Sequence, residues 1–516
     1  MKMIKLTAVF ITSLLLLFSC RKPLDRTGVS SSSTASKRQI DKSGTSTGNT
    51  VLSGGEGYNS EIAEDNTNGE NGSEADGFDY TIRDHDYDWD RGDGTPGYDA
   101  GDTSYDLTPV FSDESFVKPL EQKFSSMLSS LDGLNKSTVS VKNFGAKGDG
   151  VTDDYNAVMS ALNSSASPVY LPKGNYLISQ RIVIPKNNSG LFGDDATLVL
   201  NNDIDGIYCN NKTNVTVKGI NIKKKWVDNS VKSGFISERC TDVLVSDCEI
   251  SGFGARWGIY FVYGTNVGAM DNYIHDFSAS AFGPLADGEQ QDSLAIYIRN
   301  STKNGIIRGN KIENLRTEEP NLSQRMVQTD GVSCSGSENI LIDNNNISNV
   351  GEGIDLGKMK NVIIRKNTIK NTDHFAVKII HGTENCLIEN NLLEDAGFAL
   401  LGCFLGYPQN GVTQRNIFRF NNCIDVGKTD IFAATYRPGV RAAIELDGKY
   451  EKTAAGENGC YNNYFEYNNI INNQLGTVHY GIWEHDGAQR NFFNYTSFRG
   501  GIATEYSING NSKIKK

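Results

Sequence analysis

Asn361-Val-Ile-Ile-Arg-Lys-Asn-Thr-Ile-Lys-Asn371 decides the fold. Apolar and polar residues alternate and an Asn-rich turn follows; alternation at period two marks a strand. The same signature, an Asn that meets a second Asn six residues on, recurs at Asn304 and Asn310, Asn339 and Asn345, Asn361 and Asn367, and Asn385 and Asn391. The copies start 35 (339 − 304), 22 (361 − 339) and 24 (385 − 361) residues apart. Weaker copies begin at Asn214, Asp242 and Asn266 upstream, and at Asn416, Asn463 and Asn491 downstream. A second short strand precedes most copies: Gly331-Val-Ser-Cys334, Gly353-Ile-Asp-Leu356, Ala376-Val-Lys-Ile379 and Ala443-Ile-Glu-Leu446. Units this short cannot bury their apolar faces alone, but they can when stacked. Asn residues recurring at one turn then form ladders that take the bent backbone and bond along the axis. A leucine-rich-repeat solenoid has a similar period, but it needs Leu at fixed places and a helical segment in each repeat, which are absent. About ten coils are expected.

Outside the repeats the chain has three other segments. Lys2 and Lys5 precede an apolar run from Leu6 to Phe18 that is too short to span a bilayer and has the form of a secretory signal. Leu17-Phe18-Ser19-Cys20 resembles the lipobox of bacterial lipoproteins. That resemblance implies a signal peptide over 1–19, lipidation of Cys20, and a lipid anchor holding the protein to a membrane in the cell envelope. Residues 20–109 are rich in Ser, Thr, Gly, Asn and Asp, cannot bury enough surface to offset their ordering entropy, and read as a disordered tether. Asp84-His85-Asp86-Tyr87-Asp88-Trp89-Asp90 lacks the Gly and Glu spacing of a calcium loop and reads as solvated acidic linker. Residues 110–138 form a pre-domain segment, for which a helix is one reading, and the repeats fill 139–510. The net charge of −12 argues against a nucleic-acid partner. A monomer is expected.

The repeats open on Val141-Lys-Asn-Phe-Gly-Ala-Lys-Gly-Asp-Gly-Val-Thr-Asp-Asp154, an amphipathic stretch from Tyr155 to Leu162, and Val169-Tyr-Leu-Pro-Lys-Gly-Asn-Tyr-Leu-Ile178. Thr152 or Asp153 can cap the helix. No Gly-Lys-Ser/Thr follows, so this is not a phosphate-binding loop. The segment resembles the entrance of the pectin-lyase-like superfamily. The resemblance, over about Val139 to Tyr506, implies an all-β fold: a right-handed parallel β-helix whose open end is closed by a capping helix, after a disordered linker. It implies no single reaction, since this fold hosts hydrolases, lyases, epimerases and adhesins.

In that family the strands preceding the Asn copies line the substrate groove. Alternation turns Ile354 and Leu356 inward and Asp355 outward; Ser333, Lys378, Glu445, Asp447, Tyr297 and Arg299 face solvent by the same parity. Asp355 and Lys378 should be lateral neighbours. The turns add Asp330, Glu352, Asp373 and His374, and equal intervals (352 − 330 = 22; 374 − 352 = 22) put Asp330, Glu352 and His374 in one column. Gln328-Thr329-Asp330, Gly351-Glu352 and Asp373-His374-Phe375 resemble the Asn-Thr-Asp, Asp-Asp and Gly-His-Gly motifs of family-28 glycoside hydrolases, the polygalacturonases. Gly351 replaces the first Asp of the pair, and no Arg-Ile-Lys follows where the family has it.

Inverting hydrolysis needs a protonated carboxylic acid and a carboxylate about 6.5–9.5 Å apart. Glu352 between Asp330 and Asp355 is expected to be raised by like charge and to serve as the acid, tuned by His374. Lys378 and Arg299 would grip an acidic or sulfated sugar, with Tyr297 and His381 beside them. The catalytic set on this reading is Asp330, Glu352, Asp355 and His374, with no metal or other cofactor. β-Elimination is the second reading, with Lys378 as base, His381 and Arg299 as helpers, and calcium as the cation; the acidic residues Asp287, Glu289 and Asp292 lie in an insertion. A glycan-binding surface protein without catalysis is the third.

The insertions Ser278–Ser293, Arg316–Gln328 and Asp425–Gly439 are expected to wall the groove. Trp257, Tyr260, Tyr297, Phe375 and Tyr436 offer faces on which sugars could stack. Glu445 and Asp447 share a face as in iota-carrageenase-like enzymes, three coils from Asp355, which makes them an alternative site. Eight cysteines besides Cys20 lack Cys-x-x-Cys spacing and read as buried thiols, although an oxidising envelope permits disulfides. Glu484 falls on the inward parity, which predicts irregular last coils.

Overall fold

A computed structural model describes residue 115 and residues 117–164, 167–224, 232–253, 256–277, 293–315, 329–405, 412–427, 440–448, 459–474 and 478–515. The leader, the whole tether with Cys20, Gln328, Tyr436, the acidic residues Asp287, Glu289 and Asp292, and almost all of the three insertions lie outside these residues. The described residues build a right-handed parallel β-helix. One face is a sheet of twelve parallel strands in chain order. They are β1 (Ile182–Val183), β2 (Ile207–Asn210), β3 (Phe235–Glu238), β4 (Arg256–Val262), β5 (Ser293–Arg299), β6 (Asp330–Ser335), β7 (Glu352–Gly357), β8 (Phe375–Ile380), β9 (Ala399–Phe404), β10 (Ala442–Asp447), β11 (Val478–His485) and β12 (Ile502–Ser507). The remaining strands join in one 26-stranded sheet. Twelve strands exceed the ten Asn copies because β1 and β12 have no Asn-to-Asn copy behind them.

Inside, side chains stack in rows fixed by the register. Ile296, Val332, Ile354, Val377, Leu401, Ile444 and Ile482 lie opposite one another in succession and are fully buried. Each such side chain contributes roughly 1.5–3 kcal/mol by leaving water. The second Asn of each copy builds a buried ladder: the amide nitrogens of Asn310, Asn345, Asn367 and Asn391 each donate to the next Asn oxygen at 2.9–3.0 Å. The first Asn sits at positive φ, 59° at Asn304 and 56° at Asn361, which Asn tolerates. There a half-buried outer ladder runs from Asn361 to Asn339 to Asn304.

Two helices serve the ends and flank. α1 (Lys118–Asp132) buries Leu120, Phe124, Met127 and Leu131 against Leu244, Ile306 and Leu341 on the outside of the large sheet. α2 (Tyr155–Ser164) presses Val158, Ala161 and Leu162 onto the main core. Asp153 accepts the Tyr155 amide at 3.1 Å, whereas Thr152 donates to Asp149 and plays no part in the cap. Cys403 and Cys460 form a disulfide, so the buried-thiol expectation holds for Cys209, Cys240, Cys248, Cys334, Cys386 and Cys423 only. Glu484 does point inward, held by Asn491 and Ser512 and by the Asn509 amide in the last coil.

Candidate active site

The outward row of the twelve-stranded sheet runs Tyr260, Tyr297, Ser333, Asp355, Lys378, Gly402, Glu445 and Trp483. Asp355 lies directly opposite Lys378, as the alternation requires. Asp330 lies opposite Glu352 at the start of β6 and β7. The step to the next coil is still 22 residues at Val350 and Thr372 (372 − 350), and the His374 amide donates to the Gly351 carbonyl as a residue level with Glu352 does; the step becomes 23 (378 − 355) only from Val377 onward. Asp330, Glu352 and His374 therefore stand in one column, and the extra residue falls between His374 and Val377. The His374 ring reaches Glu352, Nδ1 to Oε1 at 3.4 Å.

One oxygen from each of Asp330, Glu352 and Asp355 can be chosen so that all three lie within 4.8 Å of one another. Asp330 and Glu352 are only one strand spacing apart, so the 6.5–9.5 Å gap expected of an inverting pair does not separate these oxygens. Lys378 Nζ reaches 2.5 Å from Glu352 Oε2 and 3.3 Å from Asp355 Oδ2. Asp355 Oδ1 is buried with no hydrogen-bond partner. The carboxylates expected to face open solvent are in fact largely covered, and of the charged candidates on this face only Arg299, outside the row, is exposed.

The charges sort themselves differently from the expectation. Burial pushes the Glu352 carboxyl up, but the Lys378 charge and the His374 contact outweigh it and hold Glu352 down at about 2. Asp355 is pushed up to about 6, by burial first and by the Glu352 charge, with Lys378 opposing. The candidate acid is thus Asp355 rather than Glu352, since the ammonium and the imidazole both favour Glu352. Burial disfavours the Lys378 ammonium, yet the surrounding carboxylates overrule it and push its pKa up. This corrects two roles given to Lys378: it is no base at neutral pH, and its charge is engaged by protein carboxylates rather than left for substrate. His381, at positive φ at the end of β8, is held down at about 4 by burial and by Lys378, so it is neutral. Three carboxylate oxygens this close could take a hard cation. Here the Lys378 ammonium supplies the positive charge to two of them, so the set does not fit calcium.

Glu445 and Asp447 both lie on β10, three strands beyond Asp355, and border a second cluster. His485 Nε2 meets Glu445 Oε1 at 3.0 Å, its Nδ1 meets Asp486 at 3.2 Å, and its ring stacks on Trp483 at 3.7 Å. Tyr297 stacks on Tyr260 at 5.3 Å, and the Arg299 guanidinium lies 5.7 Å from the Tyr297 ring centre. Sequence reasoning missed Phe398 and Phe404, which pack around Phe375 at 5.6 and 5.1 Å. β9 is apolar throughout, so its facing could not be read by alternation; Gly402, in the row of Lys378, was the available signal.

A family described as rhamnogalacturonase A/epimerase, pectate lyase-like, matches residues 138–378, and one described as right-handed beta helix region matches 324–514. Each match covers less than half of the chain, and both descriptions agree with the parallel β-helix seen here. Among curated relatives, the pre-neck appendage protein of Bacillus phage phi29 is 46% identical over 68 residues, 13% of this chain and 8% of that protein. The chain thus matches less than a tenth of that relative's length. The mannuronan C-5 epimerase A-module of Azotobacter vinelandii AlgE4 has a TM-score of 0.55 at 15% identity, over 73% of this chain and 100% of that one. PfbA, a surface adhesin of Streptococcus pneumoniae, has a TM-score of 0.50 at 14% identity, over 71% and 91%. These structures share the fold.

Proposed function

We propose that the chain is an extracytoplasmic, lipid-anchored polysaccharide hydrolase acting on an acidic or sulfated glycan. The observation that carries the reading is one cluster holding two carboxyl groups in opposite states, Asp355 raised and Glu352 lowered. Groups whose environments push their pKa values apart are suited to divide acid and base work. Asp355 gives its proton to the departing glycosidic oxygen as the bond to the anomeric carbon breaks. Water bonds to that carbon and its proton passes to ionised Glu352, whose nearest oxygen lies closer to Asp355 than the about 6.5–9.5 Å usual for an inverting pair. Lys378 keeps the cluster's negative charge from accumulating, and Arg299 and Tyr297 contact the sugar. Elimination is the weaker reading because its base would be Lys378, which two carboxylates hold protonated.

The test is a screen of the purified full chain against polygalacturonate, alginate and carrageenan. Reducing ends and the ultraviolet absorbance of an unsaturated product are read together. Hydrolysis gives the first signal without the second, and Glu352→Gln loses it while polysaccharide retention persists. Unsaturated product would support elimination; retention with neither signal would support a binding protein.

A further inference from the structure

On the hydrolase reading above, we propose that the site works from a chain end, because an aromatic plug closes the groove one strand beyond Lys378. The outward row meets no side chain at Gly402, opposite Lys378. That space is filled by rings. A Cβ on Gly402 would collide with Phe404 and sit 3.1 Å from Phe375 Cδ1. Phe375 stands at the start of β8 and Phe404 at the end of β9, with ring centres 5.1 Å apart in an edge contact, so together they cross the width of the sheet. Phe398 completes the plug, 5.6 Å from Phe375 and stacked on His374 at 5.5 Å.

Beside the carboxylates, Arg299 on the N-terminal side is exposed and Tyr297 is half-buried, whereas Phe404 on the C-terminal side is 8% and Glu445 4% exposed; further out, Tyr260 is 9% exposed and Trp483 half-buried. Tyr260 lies three strands from Asp355, about 14 Å at ~4.8 Å per strand. Half-buried Trp257 and Tyr297, their ring centres 5.6 Å apart, therefore give a glycan an aromatic surface that leads to the carboxylates from the N-terminal side among the described residues. The terminal sugar ends against Phe375 and Phe404, and the cluster around His485 lies beyond the plug, outside the groove.

The length of the products, followed together with viscosity, tests this on whichever of polygalacturonate, alginate or carrageenan is cut. A single short product from the start, with viscosity falling slowly, is expected. Mixed-length products with an early collapse of viscosity overturn the chain-end mode and leave the hydrolase reading standing; no cleavage of any of the three overturns that reading and this inference with it. An oligosaccharide capped at both ends should remain uncut, and its cleavage would likewise overturn the proposal. Phe404→Ala should shift the profile from one short product to mixed lengths, and an unshifted profile in the folded variant counts against the plug.

Discussion

The coils that carry Asp330, Glu352 and Lys378 bury polar side chains in two places, with opposite outcomes. In the ladder, the Asn367 amide nitrogen donates to Asn391 and to the Ile342 carbonyl, while its oxygen accepts from the Asn345 side chain and backbone. Every polar atom of that side chain has a partner, and the arrangement repeats from coil to coil. Across the core on the twelve-stranded sheet, one ammonium serves two carboxylates, and Asp355 retains a buried oxygen without a hydrogen bond. A satisfied network rigidifies, whereas a partly satisfied one is held at a cost that stability alone does not justify. The ladder builds the scaffold, and the cluster uses it.

Substitutions should separate the two. Asp355→Asn should reduce the release of reducing ends by about 10²–10⁴-fold, the usual worth of a general acid. It should not lower the melting temperature at pH 8: a carboxyl raised in the native state favours folding at low pH, and that contribution is lost as pH rises through about 6. Asn367→Ala should act in reverse, costing about 3 kcal/mol in denaturant unfolding because its buried partners are left unpaired, with product chemistry unaltered in the folded fraction. Asn361→Ala, in the half-buried outer ladder, should cost about 1 kcal/mol or less by the same measurement. Equal losses at Asn361 and Asn367 would break the distinction between the ladders.

The repeat was legible because each coil rewrites the same rule: Val362 and Ile364 inward, Asn367 at the turn. Asp355 opposite Lys378 followed from period two alone. The extra residue between His374 and Val377 did not, because register depends on how many residues each turn consumes between strands. The ionisation of the cluster was also beyond the sequence. Like charge at Asp330 and Asp355 suggested a raised Glu352, but the fold of the Lys378 side chain onto Glu352 reversed the order. The plug was hidden in Ala399-Leu-Leu-Gly-Cys-Phe404, where an unbroken apolar run conceals which residues face out.

The pH dependence of kcat/KM for reducing-end release tests the cluster most directly. With Asp355 as the acid and Glu352 already ionised, the account predicts a descending limb near pH 6, with the rate falling tenfold for each further pH unit. A rate that is flat or rising between pH 5 and 8 would contradict it.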